Sequence, residues 1–303
     1  MIRILVTDGM EKRGIEKLKN SGFDVVEQFY TSDELAEQIK NFNVIVVRSA
    51  TKIRKPIIDA ALETKQLKMI IRGGVGVDNI DVEYAELNGI KVANTPNASS
   101  ASVAELAIGH MFCLARFIHI SNVTMRQGKW NKKHYEGIEL GGKTLGIIGF
   151  GRTAKETAKR AYALGMKILY TNTSGPKDEY EQYSYCTLDE LLAQSDFISL
   201  HIPSSKGGGA IIGETQFAKM KDGVYIINCA RGGVVDEDAL IFALDSGKVA
   251  GAAIDVFEEE PTKNERLYSH DKVSVTPHIG GSTIEAQARI GEEVVDIILK
   301  HFV

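Results

Sequence analysis

The sequence predicts an α/β protein made of two parallel-sheet units in series. Short β-branched runs alternate with amphipathic segments along the chain, the order that sets parallel strands beneath crossover helices. A long apolar stretch at 99–118 breaks this rhythm once, after which it resumes. A glycine-rich turn then links strand to helix early in the second array, in "LGIIGFGRTAKETAKRAYALG". At 303 residues the chain is long enough for two domains of ordinary size.

The first array opens with the strand pattern "IRILVT" and the helix pattern "EKRGIEKLKNSG". "TSDELAEQIKN" begins with a T-x-x-E capping box, so a helix is expected from near Thr31. "VIVVR", "KPIIDAALE", "LKMIIR", "VEYAELNG" and "IKVAN" continue the alternation. The stretch 99–118 predicts one long helix suited to burial between domains. The second array runs through "KTLGIIG", a helix, "KILYT", the capping-box helix "TLDELLAQ", "FISLHI", "GVYIINCA", "DEDALIFALDSG" and "VAGAAIDV". It closes on the helix pattern "STIEAQARIGEEVVDIILKHF". The arrays are not repeats of one another at residue level. "SSKGGG" at 204–209 has the composition of a flexible loop.

Composition excludes several classes. Charge is −4 with both signs interspersed, so no nucleic-acid footprint and no nucleic-acid partner is expected. No apolar run approaches the roughly 20 residues that span a bilayer, and no membrane partner is expected. "MIRILVTDG" reads as a strand meeting a turn rather than a signal peptide. Cys113, Cys186 and Cys229 are far apart and form no CxxC. That pattern favours neither a disulfide scaffold nor structural zinc, and a cytoplasmic location is expected. No metal site is expected, and no hydrolase or metalloenzyme motif occurs.

Two glycine clusters compete for a nucleotide-binding role. "RGGVGVDNID" holds Gly74 and Gly76, but no helix opens directly behind them. In "GFGRTA" a strand runs into Gly149 and Gly151, and a helix follows at once. The first glycine makes the tight turn, and the second lets backbone approach a pyrophosphate. The helix N-terminus then offers unpaired N–H groups to the phosphates. Ala154 is a small third residue for close helix–strand packing. The turn therefore points to a Rossmann-type dinucleotide site.

The motifs "RSATKI", "RGGVGVDNID", "NTPNASSASVAELAIG", "GKTLGIIGFGR", "NCARGGVVDEDAL", "AAIDVFEEEP" and "TPHIGGSTIEAQ" run in the order found in the D-isomer-specific 2-hydroxyacid dehydrogenases. The chain resembles that family over essentially its whole length, and most of all its phosphoglycerate-oxidising members. The resemblance implies hydride transfer between NAD and a D-2-hydroxy acid, with D-3-phosphoglycerate, the entry substrate of serine biosynthesis, as the expected substrate. A glyoxylate, hydroxypyruvate or other 2-oxo-acid reductase is the alternative. A non-enzymatic, cofactor-sensing corepressor-like scaffold is the remote one.

The family's catalytic arginine, glutamate and histidine correspond to Arg231, Glu260 and His278. The chemistry suits them. An imidazole with a reference pKa near 6.5 can take the alcohol proton and return it near neutral pH. A carboxylate beside it orients the ring and favours its charged form. An arginine offers a planar fork to the substrate carboxylate.

By the same resemblance, Gly149, Gly151, Arg152 and Thr153 lie beside the pyrophosphate and Asn172 beside the adenosine ribose. Val75, Ile202, Cys229, Ala230, Arg231, Asp255, His278, Gly280 and Gly281 line the cofactor, with Asp255 accepting from the carboxamide. Arg48, Ser49, Arg72, Gly74, Val75 and Gly76 are implied to bind an anionic substrate. Cys229 is read as cofactor wall, not as a nucleophile.

Four departures from the family pattern stand out. Asn172, 23 residues after Gly149, replaces the usual acidic ribose ligand. This favours NAD with weakened discrimination, and leaves NADP possible, because an amide does not repel a 2′-phosphate. "GRTA" replaces the usual "GRIG". Ser99 stands where phosphoglycerate members commonly carry asparagine. "SSKGGGAIIG" replaces a more ordered polar loop.

The resemblance further implies a flavodoxin-like substrate-binding domain of 1–95 plus 280–303, and a Rossmann-type NAD domain of 96–279. A cleft between them would close over substrate. The protein is expected to be a homodimer or homotetramer built on the NAD domain, and the short form without the C-terminal regulatory domain of longer members.

Overall fold

The structure, a computed structural model, describes residues 1–204 and 209–303. The centre of the glycine-rich stretch noted above, 205–208, lies outside the described residues. The chain divides into two compact units, Met1–Ser99 with Gly281–Val303, and Ser100–Gly280.

The first unit is built from β1 (Arg3–Val6), α1 (Lys12–Asn20), β2 (Asp24–Glu27), α2 (Ser32–Gln38), β3 (Val44–Val47), α3 (Lys55–Thr64), β4 (Met69–Arg72), α4 (Val82–Leu87) and β5 (Lys91–Asn94), with the C-terminal helix Ile284–Phe302 added. Its five strands are all parallel, in the order β2-β1-β3-β4-β5, the flavodoxin-like order. Val44–Val47 of β3 is buried at every position, as a parallel strand covered on both faces requires.

One face carries Ile15 and Leu18 of α1 with Ile290, Val294 and Ile298 of the C-terminal helix. The other carries Leu35, Ile57, Ile58 and Ala61 of α2 and α3. α1 and the C-terminal helix approach closely through glycines: a Cβ on Gly14 would stand 3.3 Å from the Gly291 carbonyl. The capping box forms, with the Glu34 carboxylate accepting from the Thr31 N–H and hydroxyl at 2.9 and 2.8 Å.

The second unit contains α5 (Ser100–Ala115), α6 (Ile118–Arg126), β6 (Thr144–Ile148), α7 (Arg152–Ala163), β7 (Lys167–Thr171), β8 (Ser184–Tyr185), α8 (Leu188–Gln194), β9 (Phe197–Leu200), α9 (Glu214–Lys219), β10 (Val224–Asn228), α10 (Glu237–Asp245), β11 (Val249–Ile254), α11 (Glu265–Tyr268) and β12 (Val273–Val275). Seven parallel strands lie in the order β12-β11-β10-β9-β6-β7-β8. α5 and α7 share one core that includes the small residues Ala107, Ala154, Ala158 and Ala161. Ala154 is fully buried, which gives the third position of the glycine turn its need for a small side chain.

The expected single helix at 99–118 is corrected by the structure. α5 ends at Ala115, Phe117 is left-handed with φ 55°, and α6 departs at 65°. The physical cause lies in a distant segment. The Ala115 carbonyl accepts from the Ile138 N–H at 2.9 Å instead of continuing the helix. Gly137 permits that approach, since a Cβ there would sit 2.4 Å from the same oxygen. Among the described residues no single helix is long and apolar enough to cross a membrane.

Candidate active site

In open parallel sheets, ligands bind beyond the carboxyl ends of the strands where the strand order reverses. In the second unit that point lies between β6 and β9. Gly149 follows β6 with φ 86°, and a Cβ on it would meet the His201 carbonyl at 2.5 Å and Ile202 at 2.7 Å. Both backbone angle and space therefore demand glycine. Gly151 differs: a Cβ there would meet nothing within 4 Å. The chain's own packing does not require that glycine, so its use is to leave backbone open to something from outside. Arg152 and Thr153 open α7 directly behind it, where the first N–H groups have no helical partner.

Asn172 lies just past β7. Its Oδ1 accepts from the Ser174 N–H at 2.8 Å and hydroxyl at 3.1 Å, and because that N–H can only donate, the amide orientation is fixed. The Nδ2 group is buried without a hydrogen-bond partner among the described residues. Where the family's carboxylate would accept, this side chain offers a donor.

The expected catalytic residues come together within this unit. His278 Nδ1 lies 2.7 Å from Glu260 Oε2. The carboxylate accepts, so Nδ1 carries the proton and Nε2 is the nitrogen left to exchange one with a ligand. Glu260 Oε1 accepts from the Phe257 N–H at 3.2 Å. Burial alone would raise the Glu260 pKa, but the His278 hydrogen bond and charge, the Phe257 N–H and the charge of Arg231 together hold it below the ordinary value of 4.5.

Arg231 stands in the turn after β10. There Asn228 donates to the Arg231 carbonyl at 3.0 Å and accepts from the Ala230 N–H at 3.1 Å, and Arg231 Nη1 donates to the Ala230 carbonyl at 2.6 Å. Gly232 allows this turn to lie against the segment leading to Glu260, since a Cβ on it would fall 1.7 Å from the Phe257 carbonyl. Cys229 is buried, which pushes its thiol strongly up and keeps it protonated. It has no nucleophile's environment.

His278 has φ 52°, a left-handed conformation that costs a non-glycine residue about 1 kcal/mol. Asp255, 1% exposed, holds it there. Its carbonyl accepts from the His278 N–H at 2.8 Å. Its carboxylate accepts from the Thr276 hydroxyl at 2.6 Å, the Ile279 N–H at 2.8 Å and the Gly280 N–H at 2.9 Å. Three of the roughly four acceptor positions of a carboxylate are thus used by the chain itself. Gly281, which follows, belongs to the first unit.

In the first unit the strand order reverses between β1 and β3. Asp8, beyond β1, accepts from the Arg48 N–H at 2.7 Å, the Thr51 N–H at 3.0 Å and the Thr51 hydroxyl at 2.6 Å. Asn79 donates to the Arg48 and Thr51 carbonyls at 2.7 and 2.6 Å. The Arg48–Ser49 loop is therefore fixed from both sides. Beyond β4, Gly74 has φ 146°, and a Cβ on it would overlap the Arg72 guanidinium. Asn94 holds the Val75 carbonyl at 2.6 Å, and Gly76 follows. Asp8, Asn79, Asn228 and Gly232 escaped the sequence reading. "VTDG" and "VDNID" contain the turn-forming acid and amide that could have signalled the first two.

A two-glycine turn at a switch point, with an imidazole–carboxylate pair and an arginine in the same unit, defines a dinucleotide-using oxidoreductase. Residues 108–280 match the family described as D-isomer specific 2-hydroxyacid dehydrogenase, NAD binding domain. The chain is 49% identical over 302 residues to a hydroxypyruvate reductase of Thermotoga maritima, covering 98% of this chain and 97% of that one. It is 46% identical over 303 residues to a D-3-phosphoglycerate dehydrogenase of Methanocaldococcus jannaschii, covering 99% of this chain and 57% of that one. A solved glyoxylate reductase from Paecilomyes thermophila superimposes with a TM-score of 0.89 at 35% identity, over 98% of this chain and 94% of that one.

The chain belongs to the D-isomer-specific 2-hydroxyacid dehydrogenases, nicotinamide-dependent oxidoreductases of small hydroxy and oxo acids. It spans little more than half the length of the phosphoglycerate dehydrogenase it matches. The residues present fit a nicotinamide dinucleotide: Gly151 leaves backbone open where a Cβ would fill the cradle, and the Asn172 Nδ2 group is a buried donor without a partner among the described residues.

Proposed function

We propose that the chain interconverts D-3-phosphoglycerate and 3-phosphohydroxypyruvate with NAD. The carrying observation is the His278–Glu260 contact beside Arg231, an acid–base and anion-binding set suited to a 2-hydroxy acid. When bound, the nicotinamide supplies or accepts the hydride. His278 Nε2 takes the proton from the substrate hydroxyl on oxidation and returns it on reduction. Glu260 keeps the ring in one orientation and tautomer, and Arg231 binds the substrate carboxylate. Gly149, Gly151, Arg152 and Thr153 hold the pyrophosphate, Asn172 the ribose, and the remaining acceptor position of Asp255 the carboxamide. Arg48, Ser49 and the Arg72–Gly76 loop are assigned to the substrate's anionic end.

A second reading, hydroxypyruvate as substrate, is favoured by the end-to-end similarity to the T. maritima enzyme and by Ser99 where phosphoglycerate enzymes commonly have asparagine. Hydroxypyruvate differs from 3-phosphohydroxypyruvate by one phosphate, so a steady-state panel separates the two readings. The highest kcat/KM on D-3-phosphoglycerate supports the first reading. Strong reduction of hydroxypyruvate or glyoxylate without activity on the phosphate ester replaces it with the second.

NAD is the proposed cofactor because 172–177, "NTSGPK", offers no arginine to a 2′-phosphate. The Asn172 donor predicts weak discrimination, and an NADP efficiency above that for NAD overturns the preference.

A further inference from the structure

His110 lies on α5, 2% exposed in the apolar second half of the helix. Its ring nitrogens meet two hydroxyls from the β12 segment, Nδ1 at 3.2 Å from Ser274 Oγ and Nε2 at 3.1 Å from Thr276 Oγ1. Thr276 in turn donates to Asp255 Oδ1 at 2.6 Å. The direction of this chain follows from hydrogen counting. A carboxylate only accepts, so the single Thr276 hydroxyl proton points at Asp255. Thr276 Oγ1 can then only accept from His110, which places a proton on Nε2. Burial pushes the His110 pKa down, against the opposing charge of Asp255, so the ring is neutral at pH 7. Nδ1 is then bare and accepts from the Ser274 hydroxyl.

The far end of the chain is the carboxylate that fixes the loop carrying the proposed base. Asp255 accepts from the N–H groups of Ile279 and Gly280, the two residues directly after His278. His278 itself is held left-handed. Aligned hydrogen bonds polarise one another, so a donor at Nε2 of His110 is felt at the carboxylate.

We propose that His110 is a positioning residue for His278, acting through a one-directional relay from Nε2–H to the Thr276 hydroxyl to Asp255. The proposal rests on the reading of His278 as acid–base. Its test has one arm that needs no turnover and one that does.

In the full-length protein at neutral pH, ¹⁵N-edited NMR of the histidine side chains finds the His110 proton on Nε2. A proton on Nδ1, or on both nitrogens, overturns the relay whatever the enzyme turns over. In His110→Leu, and independently in Thr276→Val should the first variant not fold, the Ile279 and Gly280 amide resonances shift, and unmoved resonances count against the relay. The kinetic arm predicts kcat about tenfold lower in both variants, the scale of one buried hydrogen bond, a larger effect than any change in KM for NAD. His110→Gln, which keeps a donor toward Thr276, restores kcat to within about twofold. Equal loss in the Gln and Leu variants, or no loss in either, rejects the proposal. A wild-type protein that transfers no hydride to any 2-oxo acid instead rejects the acid–base reading, and the NMR arm still decides the relay.

Discussion

Glu260 and His278 meet at 2.7 Å with both side chains 37% exposed, so the pair is reachable by a ligand yet already joined. Because the folded pKa of Glu260 is depressed below 4.5, its contribution to stability is complete above that value. It is lost as pH falls through the depressed one. Thermal melts of wild type and Glu260→Gln are therefore expected to differ near pH 5 and to converge as pH falls. A gap that widens on acidification would reverse the sign. At neutral pH the same variant keeps a carbonyl to accept from Nδ1 but loses the charge, so kcat falls by about tenfold or more while NAD binding is retained.

At this scale Arg231, Glu260 and His278 could be proposed from sequence because each sits in its own short motif, and Asp255 from the same resemblance. The hold of Asp255 on the His278 loop and the place of His110 could not. The partners of these two residues lie 21 to 25 and 164 to 166 residues away, and a histidine in a mostly apolar helix carries no sign of what it touches.

Between elements, three backbone positions set the geometry. Gly232 brings the Arg231 turn against the Phe257 backbone. Gly232→Ala forces a Cβ into that carbonyl, and overpacking of this kind costs about 1–3 kcal/mol or more. A unit of this size should lose roughly 2–4 °C of Tm per kcal/mol, with activity lost beyond what the melting shift explains. Activity and Tm unchanged from wild type would mean the turn is not constrained as described.

Lys65 caps α3 in the left-handed region with φ 55°. Lys65→Gly relieves that strain and should raise stability by about 0.5–1 kcal/mol, read as an upward Tm shift.

Phe117 is the third position, and here the sequence was silent. The helix breaks because Ile138 claims the Ala115 carbonyl, with no glycine or proline at the break to announce it. β2 was passed over for a related reason. Its "DVVE" is a short edge strand, half exposed, with too few apolar positions for its period to be read. The two-residue β8, the short helices α9 and α11 and the three-residue β12 are held by sheet pairing and packing rather than by local pattern.

Across the whole molecule, the alternation of strands and helices announced two parallel-sheet units, and each has a switch point with a glycine-bearing or pinned loop beside it. What alternation could not give was strand order, which depends on crossovers between distant segments. The second unit also carries an unpaired surface. α6 buries none of its residues, and Val123, Met125 and Trp130 are 48, 51 and 77% exposed. In the homodimer that the family resemblance implies, a second copy would cover this face. Val123→Glu with Met125→Glu is then expected to halve the mass seen by sedimentation, and a wild-type monomer would contradict that expectation.

The central claim is that His278 moves the proton that accompanies hydride transfer, and single-turnover kinetics of His278→Ala with pre-bound NADH and a 2-oxo acid test it most directly. The account predicts NADH binding equal to wild type with hydride transfer slowed by about 10²- to 10⁴-fold. Transfer at the wild-type rate with the imidazole removed would contradict it.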